Sequence, residues 1–175
     1  PSVEQTSRGA CIADPLYPIA FTLNGREVRQ EVSTRTTLVD LLRHQIGLTA
    51  THVGCEQGSC GACSLMVDKR MIRSCLVFAI QLDGAVVETA EGFAGDPKMD
   101  ALRKAFADRN ALQCGFCTSG MLVAARDLLN RDETPSREII REFISGNFCR
   151  CTGYEAIVDA ISHVAEATDQ LRDTQ

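Results

Sequence analysis

The chain has 175 residues, 45% hydrophobic and 23% charged, with a formal net charge of −5. That is the composition of an ordinary water-soluble globular protein, and its negative balance argues against nucleic acid or an anionic membrane as a partner. Aromatics make up 5% and Trp is absent, which leaves little for a base-stacking platform.

Residues 1–20 contain Arg8 but no apolar core of a secretory leader and no twin arginine. The apolar runs, Cys75 to Ile80 and Met121 to Ala125, fall far short of the ~20 residues of a membrane span. Nine cysteines in such a chain predict metal ligation in a reducing compartment, with a cytoplasmic location.

Residues 1–18, with Pro1, Pro15 and Pro18, show no period and read as an N-terminal arm in which Cys11 is a free thiol. Ile19–Leu23, Asn24-Gly25 and Arg26–Val32 are the signature of a hairpin with a type I′ turn. Thr36-Thr37 open a helix with Leu38, Val39, Leu41, Leu42 and Ile46 on its apolar face, closed by Gly47. Ser64–Val67 and Arg70–Arg73 predict a second hairpin around Asp68-Lys69. A short buried turn follows at Cys75–Ile80, then a last strand at Ala85–Thr89. Residues 91–97 read as a linker. Beyond it the period becomes helical, in four amphipathic segments. They run through Met99–Phe106, from Thr118 as cap to Leu129, from Pro135 at N1 to Ile144, and from Tyr154 to Ala165.

Between the first helix and the second hairpin lies Gly54-Cys55-Glu56-Gln57-Gly58-Ser59-Cys60-Gly61-Ala62-Cys63, with Cys75 downstream. C-x4-C-x2-C plus a distant fourth cysteine is plant-type [2Fe–2S] ligand spacing. Each iron takes two thiolates, and the anionic sulfides need backbone N–H groups that a glycine-bearing loop can aim inward. Structural zinc favours paired knuckles instead, and a disulfide framework would need the secretory context that is missing.

Cys114-Gly115-Phe116-Cys117 lies between the first two helices of the second half, and Cys149-Arg150-Cys151 between the last two. Each pair is expected at a helix N-terminus, where the orphan N–H groups favour anionic sulfur. A thioredoxin-type C-x-x-C would need a βαβ setting. The four thiolates suit a second [2Fe–2S] cluster, and zinc stays open here on spacing alone.

With Gln113–Cys117 and Gly146–Tyr154 alongside the Gly54–Cys63 loop, residues 19–165 resemble the xanthine oxidase family of molybdenum hydroxylases, specifically its small two-cluster iron–sulfur subunit. Ser119 stands where the family usually has proline, and Phe148 where leucine is usual. Both read as local packing changes.

The resemblance implies an α+β fold. Its parts are a β-grasp plant-type ferredoxin-like domain over 19–90 and a helical [2Fe–2S]-binding four-helix bundle over 98–175. It implies ligand sets Cys55, Cys60, Cys63, Cys75 and Cys114, Cys117, Cys149, Cys151. It also implies a large partner subunit carrying a molybdopterin-type molybdenum cofactor, and a medium FAD subunit. Gln113 matches the family glutamine that hydrogen-bonds the pterin, and Cys151 the ligand whose sulfur approaches it. Electrons would pass from the molybdenum site through the second quartet to the first and on to FAD or another acceptor. The substrate expected is an N-heteroaromatic. The same subunit pattern in an aldehyde, purine or CO dehydrogenase, or a free-standing two-cluster ferredoxin, are the alternatives.

No catalytic residue stands out. Arg150 suits either tuning of an adjacent cluster or a surface ion pair. His44, His52 and His163 lack Rieske spacing and read as structural or solvated.

Overall fold

The computed structural model describes residues 14–173, with side chains through residue 167. Residues 1–13 of the expected arm, Cys11 included, lie outside the described residues. The first hairpin is β1 (Leu16–Leu23) and β2 (Arg26–Ser33), paired from Leu16↔Ser33 to Leu23↔Arg26. Its strand begins earlier than expected, taking Leu16–Pro18 out of the arm. Asn24 and Gly25 both have positive φ, 50° and 78°, as a type I′ turn requires.

The helix expected from Thr36 is α-helical only over α1 (Leu38–Asp40), capped by Thr37, and continues as a π-helical turn over Leu41–Ile46 to the left-handed Gly47. Leu38, Leu41 and Leu42 are fully buried beneath the sheet. Then come β3 (Ser64–Val67), β4 (Arg70–Arg73), 3-10 turns at Ser74–Leu76 and Ala79–Leu82, and β5 (Val86–Glu88). Among the described residues the five strands form one mixed sheet, ordered β2-β1-β5-β3-β4, with β1 and β5 parallel and the other pairs antiparallel.

Four helices follow: α2 (Pro97–Asp108), α3 (Thr118–Arg131), α4 (Arg137–Ile144) and α5 (Glu155–Asp173). Two caps differ from expectation. Cys117, not Thr118, occupies the N-cap of α3, and the Thr118 hydroxyl is buried without a partner. Ser136, not Thr134, caps α4 by accepting from the Ile139 amide, and Pro135 lies two residues before its N1, Arg137. Asp96 caps α2, accepting from the Met99 amide.

Alternation along β3 joins the two halves. Leu65 points into the core with Phe21, Val32, Leu38 and Leu42, whereas Met66 points into the helical core with Met99, Phe106, Met121 and Ile140. Within the expected linker Phe93 is buried in the helical core, and its carbonyl accepts from Arg103 at 3.5 Å. The chain is thus α+β, a ferredoxin-like mixed sheet with α1 and its π-helical turn packed on the Leu65 side and the α2–α5 helices on the Met66 side. No helix among the described residues is long and apolar enough to cross a membrane.

Candidate metal centres

The first quartet is assembled by the second hairpin. Pairing of Ser64 with Arg73 brings the end of the cysteine loop beside the turn carrying Cys75. Ser74 then ties the two together, its amide and its hydroxyl donating to the Cys63 carbonyl at 3.3 and 2.8 Å. Cys63 and Cys75 are buried, while Cys55 and Cys60 are half-buried.

The loop closes on its own sulfur. The Cys60 amide donates to Cys55 Sγ at 3.3 Å, and the Gln57 amide foremost, with that of Cys60, pulls the Cys55 thiol down to about 7. Burial pushes Cys75 up to about 11, reinforced by its contact with Cys63. A thiolate-stabilising amide nest on one side and a shielded thiol pair on the other suit an anionic cluster.

In the second quartet Cys114 and Cys117 come from the α2–α3 turn, Cys149 and Cys151 from the α4–α5 loop. Cys117 sits at a helix N-cap as expected. Cys149 and Cys151 lie further from theirs, because Thr152, Gly153 and Tyr154 (φ 70°) intervene before α5. Cys151 Sγ and Cys114 Sγ are 3.6 Å apart, and both residues are exposed. Burial pushes the Cys117 thiol up to about 12, helped by its contact with Cys149. Burial also opposes ionisation of Cys149, yet its pKa is lowered because the Thr152 hydroxyl and amide donate to it.

Gln113 Nε2 donates to the Cys151 carbonyl at 3.0 Å, pinning the two turns to each other. The Tyr154 hydroxyl accepts from the Cys149 amide at 2.9 Å.

The sulfurs approach in pairs: Cys55 with Cys60, Cys63 with Cys75, Cys117 with Cys149, Cys114 with Cys151. Two pairs per quartet match a dinuclear centre, whose two irons each take two thiolates, better than one tetrahedral zinc.

Several residues outside the expected set join the two loops. The Phe148 amide donates to the Cys60 carbonyl at 2.8 Å, linking a cysteine of one quartet to the neighbour of Cys149 in the other. The Phe148 ring itself is 56% exposed, so its departure from leucine is a surface change and not a core one. His52 stacks on Phe116 at 4.8 Å between centroids, and its Nδ1 lies 2.8 Å from the Phe116 carbonyl. Asn147, only 1% exposed, bonds across to Gly61. Asn147 lies inside the Gly146–Tyr154 motif. His52 carried no signal beyond its nearness to Cys55. Arg150 is exposed.

Two family descriptions match in tandem: a 2Fe-2S iron-sulfur cluster binding domain over residues 21–92 and a [2Fe-2S] binding domain over 89–162. The chain is similar to the caffeine dehydrogenase subunit gamma of Pseudomonas sp. (strain CBB1), 46% identical over 87% of this chain and 93% of that protein. It is also similar to the nicotine 6-hydroxylase small subunit of Paenarthrobacter nicotinovorans, 45% identical over 82% and 86%. Among solved structures, quinoline 2-oxidoreductase from Pseudomonas putida 86 superposes with a TM-score of 0.83 at 48% identity, over 89% of this chain and 97% of that one. With both cluster-binding families in this order and small subunits matched over nearly their full length, the chain belongs to the small two-[2Fe–2S] iron–sulfur subunits of the xanthine oxidase family of molybdenum hydroxylases.

Proposed function

We propose that this chain is the electron-transfer subunit of a molybdenum hydroxylase acting on an N-heteroaromatic substrate. It would hold one [2Fe–2S] cluster on Cys55, Cys60, Cys63 and Cys75 and another on Cys114, Cys117, Cys149 and Cys151. The observation that carries this reading is the arrangement of the eight thiols as two quartets of two pairs each. When bound, such clusters each store and pass one electron. The chain's residues hold them, screen them from water and keep them in register.

Exposure supports the order of transfer. Cys114 and Cys151 are at the surface, and Leu112, Gln113, Phe116 and Phe148, within three residues of one or the other along the chain, are exposed as well. Exposed apolar side chains beside exposed sulfur favour a docked partner there, and we assign it to the large molybdopterin subunit. Gln113, with one amide hydrogen on the Cys151 carbonyl, keeps further donor and acceptor capacity for a pterin edge. The first quartet then serves as the outward station, toward a medium FAD subunit or another acceptor. The names of the relatives, which specify caffeine, nicotine and quinoline, support an N-heteroaromatic substrate over an aldehyde or CO, and caffeine, itself a purine, keeps purines within that class.

The division we adopt is a ferredoxin-like domain over 19–90 and a helical domain over 98–175 built as a four-helix bundle from α2–α5. A cytoplasmic location completes the reading. Metal analysis of the purified protein tests it. We expect about four irons and matching labile sulfide per chain, in a native assembly with two larger subunits. Zinc in place of iron, or a stable monomer lacking partners, overturns it.

A further inference from the structure

A buried polar seam runs between the two cluster loops. Asn147 Nδ2 donates to the Gly61 carbonyl at 3.0 Å and to Ser64 Oγ at 3.3 Å. Arg73 donates from one guanidinium nitrogen to the Gly146 carbonyl (2.8 Å) and Asn147 Oδ1 (3.4 Å), and from the other to Ser64 Oγ. Ser64 Oγ in turn donates to the Gly61 carbonyl. One peptide of the first loop, next to Cys60, is thereby gripped by the segment that leads into Cys149.

The approach is too close for any side chain. A Cβ on Gly61, which has φ 73°, would lie 2.5 Å from the Gly146 carbonyl and 2.8 Å from the Asn147 amide. Stability alone does not call for this arrangement, since apolar residues of similar volume can fill a seam at no loss. A directional network does what apolar packing cannot: it admits one register and penalises every other, because any slip leaves buried donors unpaired. The register it selects is the one in which the Phe148 amide meets the Cys60 carbonyl. The bonds of the Arg73 guanidinium run to Ser64, Gly146 and Asn147, all within the seam.

We propose that Asn147 and Arg73 are positioning residues that set the spacing and register of the two clusters, and through them the rate of electron exchange within the subunit. The proposal rests on the two-cluster reading above. Neither residue is a cluster ligand. Their effect passes through Gly61 and Gly146.

The test compares Asn147→Ala and Arg73→Met with the native protein in its assembled, cluster-loaded form. Iron and labile sulfide are counted, and the fully reduced protein is examined by low-temperature electron paramagnetic resonance. The magnetic interaction between two reduced clusters falls with the cube of their separation, so it reads spacing independently of turnover. Both variants should keep their iron and the individual cluster signals while the interaction splitting shrinks. Internal equilibration after rapid partial reduction should slow by about ten-fold, within the sensitivity of reactions that depend on ~1 Å of held geometry.

Native splitting and native equilibration in an iron-replete variant overturn the proposal. So does loss of a cluster in both variants, which would make the pair part of cluster retention and not of spacing. Failure of the two-cluster reading shows separately, as a native protein without the iron and sulfide of two clusters.

Discussion

Gly120→Ala is a substitution for which helix propensity and tertiary packing disagree in sign. Gly120 is buried in the first turn of α3, and a Cβ placed there would lie 2.3 Å from the Gly61 carbonyl and 3.1 Å from that of Ala62. Propensity predicts a gain, because Ala is favoured over Gly by up to ~1 kcal/mol in a helix. Overpacking predicts a loss of about 1–3 kcal/mol. The obstructing atoms are backbone, and the Gly61 carbonyl is held by Asn147 and Ser64, so they cannot rotate away as a flexible side chain would.

The loss should win by about 1 kcal/mol, lowering Tm by about 2–4 °C in a chain of this size. Thermal unfolding of the cluster-loaded protein, followed by circular dichroism and by cluster absorbance, is the assay. Because the displaced peptide lies between Cys60 and Cys63, the first cluster's spectrum should shift as well. A rise in Tm would show that α3 does not press on the cluster loop, and the reasoning about this junction would fall.

Asp96 supplies a second test, since it caps α2, pairs with Arg126 at 2.7 Å, and has a lowered pKa because those partners outweigh its burial. Asp96→Ala should cost about 2 kcal/mol, cap and pair together, and Asp96→Asn about half of that because asparagine still caps. A lowered carboxylate contributes fully above its ordinary value of ~3.9 and loses that contribution as pH falls through its folded value. The gap between native and Asp96→Asn stability should therefore close in acid, and a gap that persists at low pH in denaturant titrations would refute the assignment. Removal of iron by a chelator should lower Tm markedly, since each half is small enough that its core alone supplies only ~3–5 kcal/mol; equal melting of apo and holo protein would exclude the clusters as staples. Cys60→Ser should leave reduction of the molybdenum site by substrate intact and slow delivery to the acceptor, and rapid-mixing traces with a normal acceptor rate would reverse the order of the two stations.

The chain's local chemistry was readable where it depends on short sequence distance. The Asn-Gly turn, the two hairpins, the left-handed Gly47 and the spacing Cys55, Cys60, Cys63 all follow from neighbours a few residues apart. The widening of α1 into a π-helical turn was not, because Leu38, Leu41, Leu42 and Ile46 suit either pitch. Nor were the true caps of α3 and α4. A hydroxyl near a helix start is ambiguous by one or two residues until the chain's entry path is known, and that path is set here by Cys117 and Pro135.

By itself the sequence determined which eight thiols are available, their grouping into two quartets, and the change from sheet to helix near residue 90. Only the tertiary structure decided which thiols approach as pairs and which lie exposed at a surface. It also placed Gly61, Arg73, Gly120 and Asn147 in one seam, up to 86 residues apart. The physical reason is that cysteine spacing encodes a ligand's reach along one loop, whereas the distance between two loops depends on strand register, helix approach and the glycines that permit it.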